Sequence, residues 1–425
     1  MKNTFLLLLT VSLCFHVIAQ TDSAIYSKFT TSQNRTKFYT GLINYSITKN
    51  LSSPLNDSTE ENWQEAFSAM ELICYQQAWT KPAIQMAVDS MEKRSPGFQQ
   101  ALLEMLYANK LTQFAKPVVH LLTHTPNAKI FAMCAEYILL ADTSKKTIAL
   151  IKEAGIKKMQ SLNDEKEMAI MPELFRHLDN LAKKNSYPGK QIIKALFNKN
   201  YLPGNVIVYS IQRKNRSYPG LVMVRDTAGN FIKTDVGKIF WLPQLARSVS
   251  NMPSYITNGN TPQGIFRMYG FDKSRSSFIG PTENLQLTMP YETSLQHFLN
   301  DSTIVDTTWD KKWYAGLLPP GLKNYAPLYE TFYAGAAGRT EIIAHGTAVD
   351  PEFYKGQSYY PYTPTAGCLC TKEIWNADGK RIISDQQKLA NAVKKAGGAN
   401  GYLIMIELDN AQQALTPEEV VPYLK

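Results

Sequence analysis

A thiol with an imidazole within reach can attack a carbonyl carbon, and two stretches of this 425-residue chain carry those groups beside glycine. One is Glu341-Ile342-Ile343-Ala344-His345-Gly346-Thr347, an apolar run leading into His-Gly-Thr. The other is Thr365-Ala366-Gly367-Cys368-Leu369-Cys370. A loop rich in Tyr and Pro separates them. A free thiol titrates at about 8.5, so only a small fraction is nucleophilic thiolate at neutral pH. An imidazole at position 345 takes the Cys368 proton and later returns it to the leaving group. Gly367 lets the backbone approach a substrate closely. The amides around Gly367 and Cys368 are candidates to donate to a developing oxyanion, at about 2.7–4 kcal/mol per donor. Spacing alone does not bring His345 to Cys368; a strand and a loop must fold back together.

Other chemistries lack their signatures. The chain has no Gly-x-x-x-x-Gly-Lys-Ser/Thr loop, no Gly-x-Ser-x-Gly elbow and no paired Cys-x-x-Cys units. Ala334-Gly335-Ala336-Ala337-Gly338 reads as close packing or a turn. Cys368, Cys370 and His345 lack an evident fourth metal ligand. A disulfide between Cys368 and Cys370 would close a small strained ring. His120 and His124 lie four apart without a His-Glu-x-x-His pattern, so they read as solvated or capping histidines. Neither a metal nor a cofactor is expected.

At the His-Gly and Gly-Cys segments the chain resembles the L,D-transpeptidase (YkuD-like) catalytic family. That family has a strand ending in His-Gly, a variable loop, then Ser/Thr-x-Gly-Cys, matched here by Ala344-His345-Gly346-Thr347 and Thr365-Ala366-Gly367-Cys368. Upstream, Thr261-Pro262-Gln263-Gly264-Ile265-Phe266 is similar to the family's Thr-Pro-x-Gly-x-Phe hairpin, and Arg339 precedes the His strand as an arginine often does there. The resemblance spans roughly Asn205 to Leu408. It implies that Cys368 attacks the third residue's carbonyl in a peptidoglycan stem peptide and expels the terminal D-alanine. The thioester then passes to an amine, with His345 as base then acid. Thr365 and Gly367 would shape the pocket and oxyanion site, Gly346 would position the imidazole loop, and Arg339 would serve as a substrate-side cation. Two positions depart from the pattern. Ala366 stands where many members carry histidine or another polar residue, and Cys370 stands where arginine is usual. Two alternatives remain open: hydrolysis, as an L,D-carboxypeptidase or amidase, and a non-catalytic wall-binding scaffold.

The elements that must position these residues divide the chain into an α+β multidomain protein. Residues 20–200 read as an α-helical, solenoid-like domain of stacked pairs, a possible docking face for a protein partner. Its start signals are Ser58-Thr59-Glu60-Glu61 as a capping box, and Ser95-Pro96 and Thr125-Pro126 as N-cap followed by Pro. Ile130, Met133, Cys134, Tyr137, Ile138 and Ala141 form a helical apolar face. Residues 201–425 read as a mainly β, L,D-transpeptidase-like catalytic domain. Strands are expected at 206–211, 221–224, 265–269, 285–289, 341–344 and 402–408, and a helix over Asp385 to Lys395. The aromatic-rich stretch near 290–335 reads as an irregular insertion close to the site.

Lys2, the apolar run Phe5 to Phe15 and Val17-Ile18-Ala19 give residues 1–19 the form of a secretory signal peptide cut near Ala19–Gln20. Leu13 is too bulky to precede a lipidated Cys14. The expected location is therefore secreted or periplasmic. No later stretch has about 18 continuous apolar residues, so no stable membrane insertion is expected. Cys74 and Cys134 sit in apolar helical stretches and read as buried free thiols. With 44% apolar and 19% charged residues, the chain is globular. Its +9 charge is spread along the sequence, which suits an anionic wall polymer and offers no nucleic-acid arm.

Overall fold

The computed structural model describes residues 25–182 and 189–424. The expected signal segment, 1–19, lies outside the described residues. The protein is α+β, with a helical N-terminal region followed by a mostly β region built on one nearly closed sheet.

The helical region comprises α1 (Ser32–Gly41), α2 (Glu60–Leu72), α3 (Lys81–Ser90), α4 (Pro96–Ala108), α5 (Ala115–His124), α6 (Ala128–Ala141), α7 (Lys145–Met159) and α8 (Glu165–Ala182). Helix α6 is largely apolar and is buried from Ile130 through Leu139, Glu136 included, while Ala141 at its end is exposed. It packs against α4, α5, α7 and α8. The helices therefore gather round a central one, which differs from the expected side-by-side stacking of a solenoid. Cys134 lies inside this core as a free thiol, and Cys74 is also free.

Helix starts follow local competition for acceptors. The Ser95 hydroxyl accepts from the Phe98 amide at 3.3 Å and caps α4. The expected capping box at Ser58 to Glu61 does not form. The Thr59 hydroxyl turns to the Pro54 carbonyl, and the Glu60 carboxylate instead accepts from the Ser95 amide at 3.1 Å. The expected start at Thr125-Pro126 also moves. Asn127 caps α6, accepting from the Ile130 amide at 3.0 Å, and Thr125 closes α5.

The main sheet contains β1 (Val206–Arg213), β2 (Gly220–Arg225), β3 (Trp241–Gln244), β4 (Gly264–Lys273), β5 (Glu283–Thr288), β6 (Ala344–His345), β7 (Leu369–Cys370) and, beyond the hairpin β8 (Glu373–Trp375) and β9 (Arg381–Ser384), β10 (Asn400–Asp409). Its order is β3-β2-β1-β10-β4-β5-β6-β7. Next to β3, Leu245 exchanges two backbone hydrogen bonds with Cys370 of β7, each 2.8 Å, so the ends of the sheet meet. The β-branched alternation of β1 faces two cores. Val206 and Val208 pack with α13 (Asp385–Ala396), while Ile207 and Tyr209 pack with α9 (Gly189–Phe197). The expected helix over Asp385 to Lys395 is α13. The expected strand at 341–344 shortens to β6, because Glu341 takes a left-handed φ of 62°.

Residues 290–335 are only partly irregular: they contain α10 (Leu295–Leu299), α11 (Lys311–Gly316) and most of α12 (Glu330–Ala336), with an irregular stretch over 300–310. Phe298, Tyr314 and Phe332 pack together over the sheet, so the aromatic richness builds a core. The Tyr314 hydroxyl accepts from the Ile265 amide at 2.7 Å and donates to the Leu328 carbonyl at 2.6 Å. Gly264, at φ 132°, permits this approach; a Cβ there would sit 2.5 Å from the Tyr314 hydroxyl.

Candidate active site

Strands β6 and β7 run parallel, with Ala344 opposite Leu369 and His345 opposite Cys370. The Leu369 amide donates to the Ile343 carbonyl and the Thr371 amide to the His345 carbonyl, both at 3.0 Å. This pairing brings the His-Gly-Thr and Gly-Cys segments together. His345 and Cys368 line one cavity of about 400 Å³, with Thr347 and Thr365 beside them. The loop between the segments is tied at its ends, where the Thr363 hydroxyl donates to the Thr347 hydroxyl at 2.8 Å.

His345 is buried, and its Nδ1 is hydrogen-bonded to the Gly346 carbonyl. A carbonyl only accepts, so Nδ1 carries the proton and Nε2 keeps its lone pair. Burial pushes the imidazole pKa down to about 4, against a smaller upward pull from the Gly346 bond. The ring is therefore neutral at neutral pH, the state a general base needs.

The turn after it is held from behind. Glu373 accepts from the Thr347 amide at 3.1 Å and from the Thr282 hydroxyl at 2.6 Å, with the Ser384 hydroxyl and Arg381 also on its carboxylate. Trp375 Nε1 donates to the Thr347 carbonyl at 2.8 Å. A side chain at Gly346 would overlap the Glu373 carboxylate, which is why glycine stands there. Sequence reading missed Glu373 and Trp375, because a hairpin acid and a tryptophan have no spacing that marks them.

Cys368 is partly exposed, with Sγ 3.5 Å from the Glu341 carbonyl. Its dense surroundings push the thiol up; the Ile343 amide and the Arg339 charge oppose this only in part. The pair therefore rests as thiol and neutral imidazole, not as an ion pair. Alkylation of Cys368 by iodoacetamide is accordingly expected to rise about tenfold per pH unit from pH 6 to 9, as free thiolate accumulates. Mass-spectrometric rates that level off below pH 7 would contradict this resting state.

The nucleophile loop is stapled by one hydroxyl. Thr365 Oγ1 accepts from the Gly367 amide at 3.0 Å and donates to the Cys368 carbonyl at 2.9 Å. This corrects one expectation: the Gly367 amide is engaged, leaving the Cys368 amide as the loop's oxyanion candidate. The Thr261 hydroxyl donates to the Gly367 carbonyl at 2.9 Å, so the Thr-Pro-Gln-Gly segment braces the same loop. No family model, no curated protein and no solved structure matches this chain. What the site can do is read from its own geometry.

Arg339 does not line the cavity. It is buried beneath Gly367, and its guanidinium donates to the carbonyls of Ser254, Gly259 and Asn260. Burial lowers its pKa to about 10, while the nearby Cys368 thiolate would raise it. Arg339 thus supports the loop as a buried positive charge, a position that does not suit the expected direct contact with substrate. Cys370 is also buried, with Sγ 3.7 Å from the Thr363 hydroxyl, and burial pushes its thiol up to about 12. It forms no disulfide with Cys368.

Two further expectations change. The 290–335 segment contributes no residue to the cavity wall. The helical region does contribute: Ser68, Glu71 and Leu72 of α2 and Glu104 of α4 line the cavity. Far from there, a carboxylate joins His120 and His124 from outside their helix. Glu92 lies 3.2 Å from His120 Nδ1 and 3.9 Å from His124 Nδ1, all three side chains being exposed. His124 Nδ1 also meets the His120 carbonyl at 2.8 Å, so that nitrogen serves as a donor within the helix.

Proposed function

We propose that this cavity performs acyl transfer through a Cys368 thioester, as an L,D-transpeptidase-like cysteine transferase acting on peptidoglycan stem peptides. The carrying observation is convergence. His345 and Cys368, on separate segments, line one cavity, and a third remote segment braces the nucleophile loop from behind through the Thr261 hydroxyl. In the first step the Cys368 sulfur bonds to the carbonyl carbon while its proton passes to His345 Nε2. The tetrahedral oxyanion then collapses, the C–N bond breaks, and the same proton leaves with the D-alanine amine. An incoming amine gives its proton to His345 and takes the acyl group, and the thiol re-forms. The apolar N-terminal run supports a secreted or periplasmic location, where this substrate occurs.

The test is acylation of the full chain by a carbapenem, followed by intact-mass spectrometry. A stable adduct on Cys368, absent from Cys368→Ala, is expected. Sacculi incubated with the wild type should release D-alanine and yield amine-ligated muropeptides. Release without ligation would replace transfer by hydrolysis. Neither adduct nor muropeptide change would leave the wall-binding scaffold as the better reading.

A further inference from the structure

The sulfur of Cys368 and the imidazole of His345 share the cavity with two carboxyls from the helical region, Glu71 and Glu104. Glu71 is only 9% exposed and lines the cavity, and its carboxyl has no hydrogen bond among the described residues. Glu104, 6% exposed, is held in place from two sides. Gln100 donates to it at 3.0 Å and Asn258, another cavity residue, at 3.3 Å. A largely buried carboxyl with no donor from the protein must find one in the cavity it lines.

The cation whose charge acts on Glu71 is committed elsewhere. Arg247 donates to the Ser248 carbonyl at 2.7 Å, lies over the Tyr359 ring at 4.7 Å from its centroid, and is in no ion pair within the described structure. Its charge lowers the Glu71 pKa less than burial and Glu104 raise it. Glu104 is itself pushed up to about 7, by burial, against the Gln100 and Asn258 bonds and the charge of Lys129. Glu104 thus sits close to its titration point, Glu71 is held well above the usual carboxylate range, and neither has an ion-pair partner among the described residues.

We propose that Glu71 and Glu104 form a subsite for the side-chain ammonium of an amine-bearing peptide, in the same cavity as Cys368. An arriving ammonium donates to Glu71 and favours the charged form that burial and Glu104 oppose there. The helical region thereby selects which peptide reaches the thiol. This rests on the acyl-transfer reading for the site's purpose, but amine recognition is measurable without any bond being made.

The probes are two short peptides ending in D-alanine, both blocked at the α-amine. The third residue carries a free side-chain amine in one and an acetylated amine in the other. Binding is measured by calorimetry to the full chain carrying Cys368→Ser, so that nothing is consumed. The free amine should bind at least about tenfold more tightly, a coupling of about 1.4 kcal/mol. Glu71→Gln combined with Glu104→Gln should reduce that ratio to near one. Equal binding of the two peptides, preference for the acetylated one, a ratio that survives both substitutions, or no binding of either peptide would overturn the subsite. The first comparison needs no glutamate variant, so a misfolded double variant cannot shield the proposal. Failure of the acyl-transfer reading registers separately, as absence of a thioester on wild-type Cys368.

Discussion

His345→Gln should lower the rate of Cys368 acylation at pH 7 by about 10²–10⁴, with little change in peptide binding. The amide keeps a donor towards the Gly346 carbonyl but cannot take a proton. Burial holds the Cys368 thiol above its ordinary range, so without the imidazole its proton must leave to solvent. The deficit should therefore shrink as pH rises and the thiolate forms unaided. Acylation rates by mass spectrometry across pH 6 to 10 give both readings. Equal rates for wild type and variant at pH 7 would remove His345 from the chemistry.

The same imidazole predicts how stability depends on pH. Unfolded, it would protonate near its ordinary 6.5; folded, only near about 4. Between those values the unfolded chain binds the extra proton, so acid favours unfolding. His345 should cost roughly 3 kcal/mol of stability as pH falls from about 6.5 to about 4, at about 1.4 kcal/mol per pKa unit. The wild-type curve should thus fall more steeply there than that of His345→Gln in urea titrations. Parallel curves would show that the ring is not held neutral.

The second large effect is expected at Gly367. Its φ is 117°, outside the range that residues with a side chain tolerate. A Cβ there would overlap the Arg339 guanidinium and lie 2.6 Å from the Gly259 carbonyl. Arg339 cannot yield cheaply, because three backbone carbonyls hold it. Gly367→Ala should therefore displace the Thr365–Cys368 staple, abolish acylation and cost about 1–3 kcal/mol of stability. Gly356→Ala is the control: φ there is 89°, but no atom lies within 4 Å of the added methyl. It should cost about 1–2 kcal/mol of backbone strain and keep acylation. If Gly367→Ala acylates at the wild-type rate, the loop does not need its present shape.

What the sequence discloses here depends on how local each signal is. β1, β2, β4, β5 and β10 carry long β-branched or alternating runs, and their positions are legible within a few residues. β3 hides a proline at Pro243, and β6 and β7 are two residues each, so their pairing exists only through distant partners. His345 and Cys368 stand out because glycine flanks each and the segments have a recognisable order. Glu71 and Glu104 do not. On α2 and α4 they look like ordinary solvated glutamates, and only docking of the helical region against the sheet buries them. The aromatic residues of 290–335 mislead in the opposite sense: their spacing carries no period, yet they fill a core. Arg339 is found by resemblance, but its burial beneath Gly367 follows from tertiary packing alone.

Residues 365–370 have backbone neighbours on both flanks. Ile343 and His345 bond to them on one side, and Leu245, Arg247 and Val249 on the other. An incoming peptide thus finds no vacant rim at which to join as one more strand, the usual way extended ligands gain main-chain affinity. It must be held by its pendant groups and its terminus. A site that ignores main-chain register leaves the choice between L and D α-carbons to where each pendant group lands.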